Sequence, residues 1–157
     1  MILLVWLFLL VACQPAAKGP ELRVQEPWIR SVSVGDMQHS ASDMAEQTTS
    51  DSSGQTSAAY MIIRNSGSEA DQLIKVESDI ADRVEIHISE MKGDVMTMRP
   101  VDKIEIPSNG MVELAPGGLH IMLTGIHRNL LDGEKVKLIL QFEKSGPIPV
   151  EAEVRKP

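Results

Sequence analysis

From Ala58 to the C-terminus the chain repeats one pattern: a short run rich in Val, Ile and Leu, a cluster of turn formers, then another run. The runs are Ala58–Arg64, Gln72–Val76, Val84–Met91, Val95–Val101, Ile104–Ile106, Met111–Leu114, His120–Leu123, Val136–Phe142 and Val150–Val154. Between them lie Asn65-Ser66-Gly67-Ser68, Pro107-Ser108-Asn109-Gly110, Pro116-Gly117-Gly118 and Asp132-Gly133, residue types that tolerate positive φ, fix φ, or bond to their own backbone. Many short strands at this spacing predict an all-β sandwich or barrel. Lys135 to Glu143 alternates for part of its length, as a sheet with one wet face should. Earlier strand signals are Leu22–Gln25 and Trp28–Arg30, with Val32 just beyond. No long amphipathic helix is evident, and Asn129–Leu131 is a candidate for one isolated turn.

Two stretches fall outside this pattern. Gly35–Ser57 is built from Ser, Thr, Asp, Gln and Gly with almost no large apolar residue, so it cannot bury enough surface to offset its ordering entropy and is expected to be a mobile insertion. It carries Met37, His39 and Met44, candidates for an auxiliary metal-catching arm. The other is the N-terminus. Ile2–Ala12 is an unbroken apolar run, too short for the roughly 20 residues of a membrane span, and is read as the core of a signal peptide covering residues 1–12. It ends in Leu10-Val11-Ala12-Cys13, which resembles the lipobox at which bacterial lipoproteins are cleaved and acylated. No Lys or Arg precedes the run, a departure from that pattern that suggests an upstream start. Cys13 is then the lipidated residue, residues 13–20 a tether, and residues 21–157 the folded domain. Gln14, rather than Asp, after the cysteine favours the outer membrane by resemblance to sorted lipoproteins.

Cys13 is the only cysteine, so a lipidated chain has neither thiol nor disulfide and must stand on its hydrophobic core. The net charge of −7 comes from 22 acidic against 15 basic side chains with no basic cluster, which argues against a nucleic-acid partner.

The residues that carry chemistry are His87, Met98, His120 and Met122. His120 and Met122 are two apart on a strand and project from one face. Val84–Met91 and Val95–Val101 flank Lys92-Gly93-Asp94, which reads as a hairpin turn. A turn centred on Lys92-Gly93 sets His87 directly opposite Met98, whereas one centred on Gly93-Asp94 makes the pair diagonal, still within reach of a long methionine. Either register offers one imidazole and one thioether. That donor chemistry selects copper(I) over zinc, iron or magnesium. Because thioethers take up no proton in this pH range, only the histidines make affinity pH-dependent. Met96, two residues from Met98 on the same face, is read either as a support to the site or as packing, with packing preferred, and His127 as a surface residue.

The spacing His87, ten residues, Met98, twenty-one residues, His120, one residue, Met122 resembles the signature of the periplasmic copper chaperones called PCu(A)C. Flanking residues resemble the family too: Arg83-Val84-Glu85-Ile86-His87, Gly93-Asp94-Val95-Met96-Thr97-Met98-Arg99-Pro100-Val101 and Leu114-Ala115-Pro116-Gly117-Gly118-Leu119-His120-Ile121-Met122-Leu123. The likeness runs from about Trp28 to the C-terminus. It implies a cupredoxin-like (immunoglobulin-like) antiparallel β-sandwich and a periplasmic chaperone delivering copper(I) for cytochrome c oxidase assembly, with the oxidase copper subunit or its assembly factors as partner. The lipobox and the Gly35–Ser57 insertion depart from the family pattern. A copper(I) buffer or resistance protein is the alternative use of the same site. A blue-copper protein is disfavoured because it needs a cysteine thiolate. No enzyme is expected: no nucleophile elbow and no acidic pair in an acid/base context are found.

Overall fold

The computed structural model describes residues 19–33, 55–93 and 95–156. Cys13, Met37, His39, Met44 and the proposed signal peptide lie outside the described residues. Ten strands follow in order: β1 Leu22–Arg30, β2 Thr56–Asn65, β3 Asp71–Glu77, β4 Ala81–Lys92, β5 Val95–Pro100, β6 Ile104–Ile106, β7 Gly110–Leu114, β8 Leu119–Ile126, β9 Lys135–Phe142 and β10 Gly146–Arg155. Every expected run lies in a strand except for Val101, which follows the end of β5, and most strands extend a residue or more beyond the run. One boundary is corrected: the polar segment does not reach Ser57, because Thr56 and Ser57 begin β2 and the buried Ser57 donates its hydroxyl to the Arg30 carbonyl at 2.6 Å. Asn129–Leu131 is not a helical turn either. Leu130, 1% exposed, makes an antiparallel bridge with Val32 and docks that side chain into the core, a tertiary gain that local propensity does not reveal.

The hydrogen-bonded ladder runs β5-β4-β8-β2-β1-β10-β9-β3-β6, with β7 also paired to β2. It curls so that β3 contacts β4, and β6 contacts β7 and β2, which closes two layers over one core. β1 is the corner, antiparallel to β2 and parallel to β10, the single parallel pairing among these strands. The alternation of β9 is the simplest illustration of the physics. Val136, Leu138, Leu140 and Phe142 are buried while Lys135 and Lys137 face water, each inward side chain worth about 1.5–3 kcal/mol of burial.

A bulge in β1 decides what reaches the outer face. Leu22 and Val24 pack against the core, yet four and six residues further on it is not Trp28 and Arg30 but Ile29 that is buried. The β1–β2 register shifts between Gln25 and Trp28, where Glu26 takes φ +49° and Pro27 leaves the ladder without a donor. One extra residue reverses the inward phase. Trp28 therefore pairs with Tyr60 on the outside of the sandwich.

At the other end of the domain Asp71, 1% exposed, anchors the β9–β10 turn. Burial alone would raise its pKa. Its carboxylate instead accepts from Ser145 Oγ (2.6 Å), Lys144 N (2.9 Å), Gln72 N (2.8 Å) and Ser145 N (2.9 Å), and these bonds hold it below the ordinary value of 3.8. A depressed carboxylate stabilises the fold above its unfolded pKa and loses that contribution as pH falls through the folded value. We expect Asp71→Asn to cost roughly 1–3 kcal/mol at neutral pH, the range for buried donors left badly paired. Chemical denaturation from pH 7 down to pH 2 should show the gap to wild type closing only below about pH 4; a constant gap would contradict this role.

Candidate metal site

The hairpin register settles which residues share the outer face. β4 pairs β5 with Lys92 opposite Val95, Met91 opposite Met96, Ser89 opposite Met98 and His87 opposite Pro100. Lys92 and Val95 thus close the turn, with Gly93 taking φ +63°, as a two-residue hairpin turn of this hand requires. The register that sets His87 directly across from Met98 does not occur; the pair is diagonal. On the other edge of β4, β8 sets His120 opposite His87 and Met122 opposite Glu85. β2 continues the rows with Ala58 opposite Met122. Directly paired residues share a face. His87, Met98, His120 and Met122 therefore all lie on the outer surface of three adjacent strands, while Ile86, Ile121 and Leu123 point into the core.

The two imidazoles are neighbours, with ring centroids 5.9 Å apart and planes at 51°. His120 is 4% exposed, and its Nδ1 lies 3.0 Å from the Gly118 carbonyl. That bond selects the tautomer with hydrogen on Nδ1 and leaves Nε2 as the lone-pair nitrogen. Gly118 is held in turn by the β7–β8 turn, its N–H donating to the Ala115 carbonyl at 3.0 Å and Ala115 N–H donating to the Leu119 carbonyl at 2.8 Å. His87 differs. Both its ring nitrogens are buried without a hydrogen bond, although the Glu85 carboxylate stands 3.5 Å from Nε2. At that separation and orientation the pair is an electrostatic neighbour rather than a hydrogen bond. Orphaned buried nitrogens are rare and call for a ligand or another specific explanation.

Met98 and Met122 line a shallow cavity of about 270 Å³ together with His120, Tyr60, Arg30, Ser89 and Met96. Met98 is 59% exposed, so its thioether is not committed to packing. Met96 is 58% exposed, which overturns its reading as a packing residue: β5 is the edge strand and is exposed at every position, so no layer covers it. His127 is a surface residue, 2.8 Å from Asp82. Among the described residues no group of three or more His, Cys, Asp or Glu side chains is placed to hold a metal ion.

Sequence reasoning missed the wall beside His120. Tyr60 is buried, with its ring 6.4 Å from His120 and 4.5 Å from Trp28, and its hydroxyl accepts from Arg30 Nη2 at 3.2 Å. The wall flanks one side of the buried His120 ring. The available signal was Trp28 and Arg30 two residues apart on one strand and Tyr60 on the next, but it reads correctly only with the Glu26 bulge. Glu85 was missed too, although its proximity to His87 follows from strand alternation alone.

The curled two-layer all-β sheet is the fold of PCuAC domains. The copper-bound PCuAC domain from PmoF2 superposes with a TM-score of 0.63 at 27% identity, covering 90% of this chain and 97% of that one. The copper(I) form of DR1885 from Deinococcus radiodurans, at 24% identity and a TM-score of 0.56, shares the fold over 85% of this chain and 78% of that one. The sequence profile of the LpqE-like lipoproteins matches residues 22–154, and the chain belongs to that family. A relative named as a lipoprotein, Lxx21020 of Leifsonia xyli subsp. xyli (strain CTCB07), is 33% identical over 104 residues. That alignment spans 66% of this chain and 62% of the relative.

Proposed function

We propose that this chain is a metallochaperone that carries one copper(I) ion on His87, Met98, His120 and Met122. The observation that carries the reading is the pair of adjacent imidazoles, with both nitrogens of His87 buried and unbonded, beside two thioethers on one face. The donors are neutral and soft, matched to a monovalent soft cation. A shallow site with an exposed Met98 suits release by ligand exchange, since an incoming donor can replace one thioether at a time. The copper-bound form of the PmoF2 domain supports the choice of metal.

The recipient we propose is a copper site of cytochrome c oxidase or of its assembly factors, and the domain performs no catalysis of its own. A thiol-free site suits an oxidising compartment, where a free cysteine is vulnerable. We place the domain on the periplasmic side of the envelope, with residues 1–12 removed, Cys13 lipidated, and the outer membrane favoured by Gln14. Membership of a lipoprotein family supports the anchor. Cys13→Ser is expected to move the protein from the membrane to the soluble fraction; retention in the membrane, or an N-terminus without lipid mass in the unmodified protein, would contradict it.

Delivery is tested by transfer. Loaded protein should pass copper(I) to an apo-oxidase copper domain faster than free copper equilibrates, whereas a buffer or resistance protein should release at the same rate with or without that recipient. The soft donors Met37, His39 and Met44 are proposed to assist capture. Removing residues 35–54 should slow loading in the same assay, and unchanged loading would dismiss that role.

A further inference from the structure

We propose that Met91 and Met96 form a second, outer thioether site for a soft monovalent ion, through which copper(I) enters and leaves the inner His/Met cluster. The inference rests on the copper(I) reading above and adds a binding step to it.

Four of the seven exposed large apolar side chains among the described residues sit on one hairpin: Met91 (62%), Val95 (62%), Met96 (58%) and Met98 (59%). Three are methionine, and none is covered by the fold. Exposed apolar side chains grouped in this way signify a contact or a ligand rather than packing. The ladder also fixes how they stand. Val101 N–H donates to the Ile86 carbonyl at 2.9 Å, and Ser89 N–H donates to the Gly118 carbonyl at 3.0 Å. Even-numbered residues of β4 therefore bond towards β5 and odd-numbered ones towards β8. Met91 opposite Met96 is consequently a non-hydrogen-bonded pair, the kind whose Cα atoms approach to about 4.5 Å and whose side chains lie closest. Two long, flexible thioethers at that spacing can converge on one ion.

The next row on the same face is Ser89 opposite Met98, about 6.8 Å along the strand. Met96 and Met98 both line the cavity that holds His120 and Met122. The sulfurs of Met91, Met96 and Met98 thus form steps from the hairpin tip to the imidazoles. Each step exchanges one thioether for another at copper(I), with no change of oxidation state and no proton released. Two thioethers without imidazole bind more weakly than the four-donor cluster, so the ion passes inward on loading and is reached first by an incoming recipient.

The test uses silver(I), a redox-inert soft probe, on the full chain carrying Cys13→Ser to remove its thiol, with methionine methyl groups labelled for NMR. The first equivalent should shift the Met98 and Met122 methyls and the second those of Met91 and Met96. The double variant Met91→Leu/Met96→Leu keeps volume and removes sulfur. It should still shift the Met98 and Met122 methyls at the first equivalent, lose the second, and load copper(I) from a chelator about tenfold more slowly, the effect of about 1.4 kcal/mol on a barrier. Met111→Leu, an exposed methionine on another strand, should change neither. Unshifted Met91 and Met96 methyls at the second equivalent, or equal loading rates in the double variant, would overturn the outer site while leaving the inner one standing. Failure of the first equivalent to shift Met98 and Met122 would instead defeat the copper(I) reading itself.

Discussion

Replacing His120 with alanine should lower copper(I) affinity by at least about 100-fold in an anaerobic competition against a chromogenic chelator, the scale already reached when only an outer partner of a ligand is lost. His120 is the proposed ligand whose ring is anchored by a hydrogen bond: Gly118 accepts from Nδ1, Tyr60 and His87 flank the ring, and the side chain is 4% exposed. Its lone pair is therefore aimed before the ion arrives, and the ordering cost of binding falls on the flexible thioethers. The fold should survive, because His120 projects from the outer face while the inward residues of β8 carry the core. Near-normal β-sheet circular dichroism with lost copper binding is the expected pair of results. Met122→Leu should weaken binding less, since one of four donors is removed while a similar volume remains.

The second large effect lies one residue away and has the opposite character. Ile121 is fully buried between the two β8 ligand positions, facing Ala59 of β2 and Ile86 of β4 in the ladder. Ile121→Ala should cost about 2–5 kcal/mol through lost transfer energy and a residual cavity. For a domain of this size the melting temperature should fall by roughly 10 °C or more. Copper(I) affinity of the folded fraction, measured well below that melting point, should stay within a few-fold of wild type. A variant with unchanged stability would mean that β8 does not pack as described. Together the two substitutions separate the face proposed to hold the ion from the face that holds the fold.

The strands were legible because nearly every one alternates or runs apolar between turn formers, as Val136 to Phe142 does. The proposed ligands were legible as residue types at a family spacing, but their arrangement was not. Two hairpin registers fitted Lys92-Gly93-Asp94 equally well, and only the ladder shows Ser89, rather than His87, across from Met98. The adjacency of His87 and His120 depends on β4 and β8 being neighbours, which is a choice of topology and has no local signal. The Trp28–Tyr60 wall needed the bulge at Glu26, a non-glycine residue at positive φ that propensity would not select. Met96 was misjudged because an edge strand looks, in sequence, like any other.

X-ray absorption at the copper edge of anaerobically loaded protein tests the central claim most directly. The account predicts one copper(I) per chain with both nitrogen and sulfur scatterers, two of each, the nitrogen contribution falling in His87→Ala and His120→Ala and the sulfur contribution in Met98→Leu and Met122→Leu. A shell of nitrogen and oxygen alone, of sulfur alone, or one that none of these four substitutions alters would contradict it.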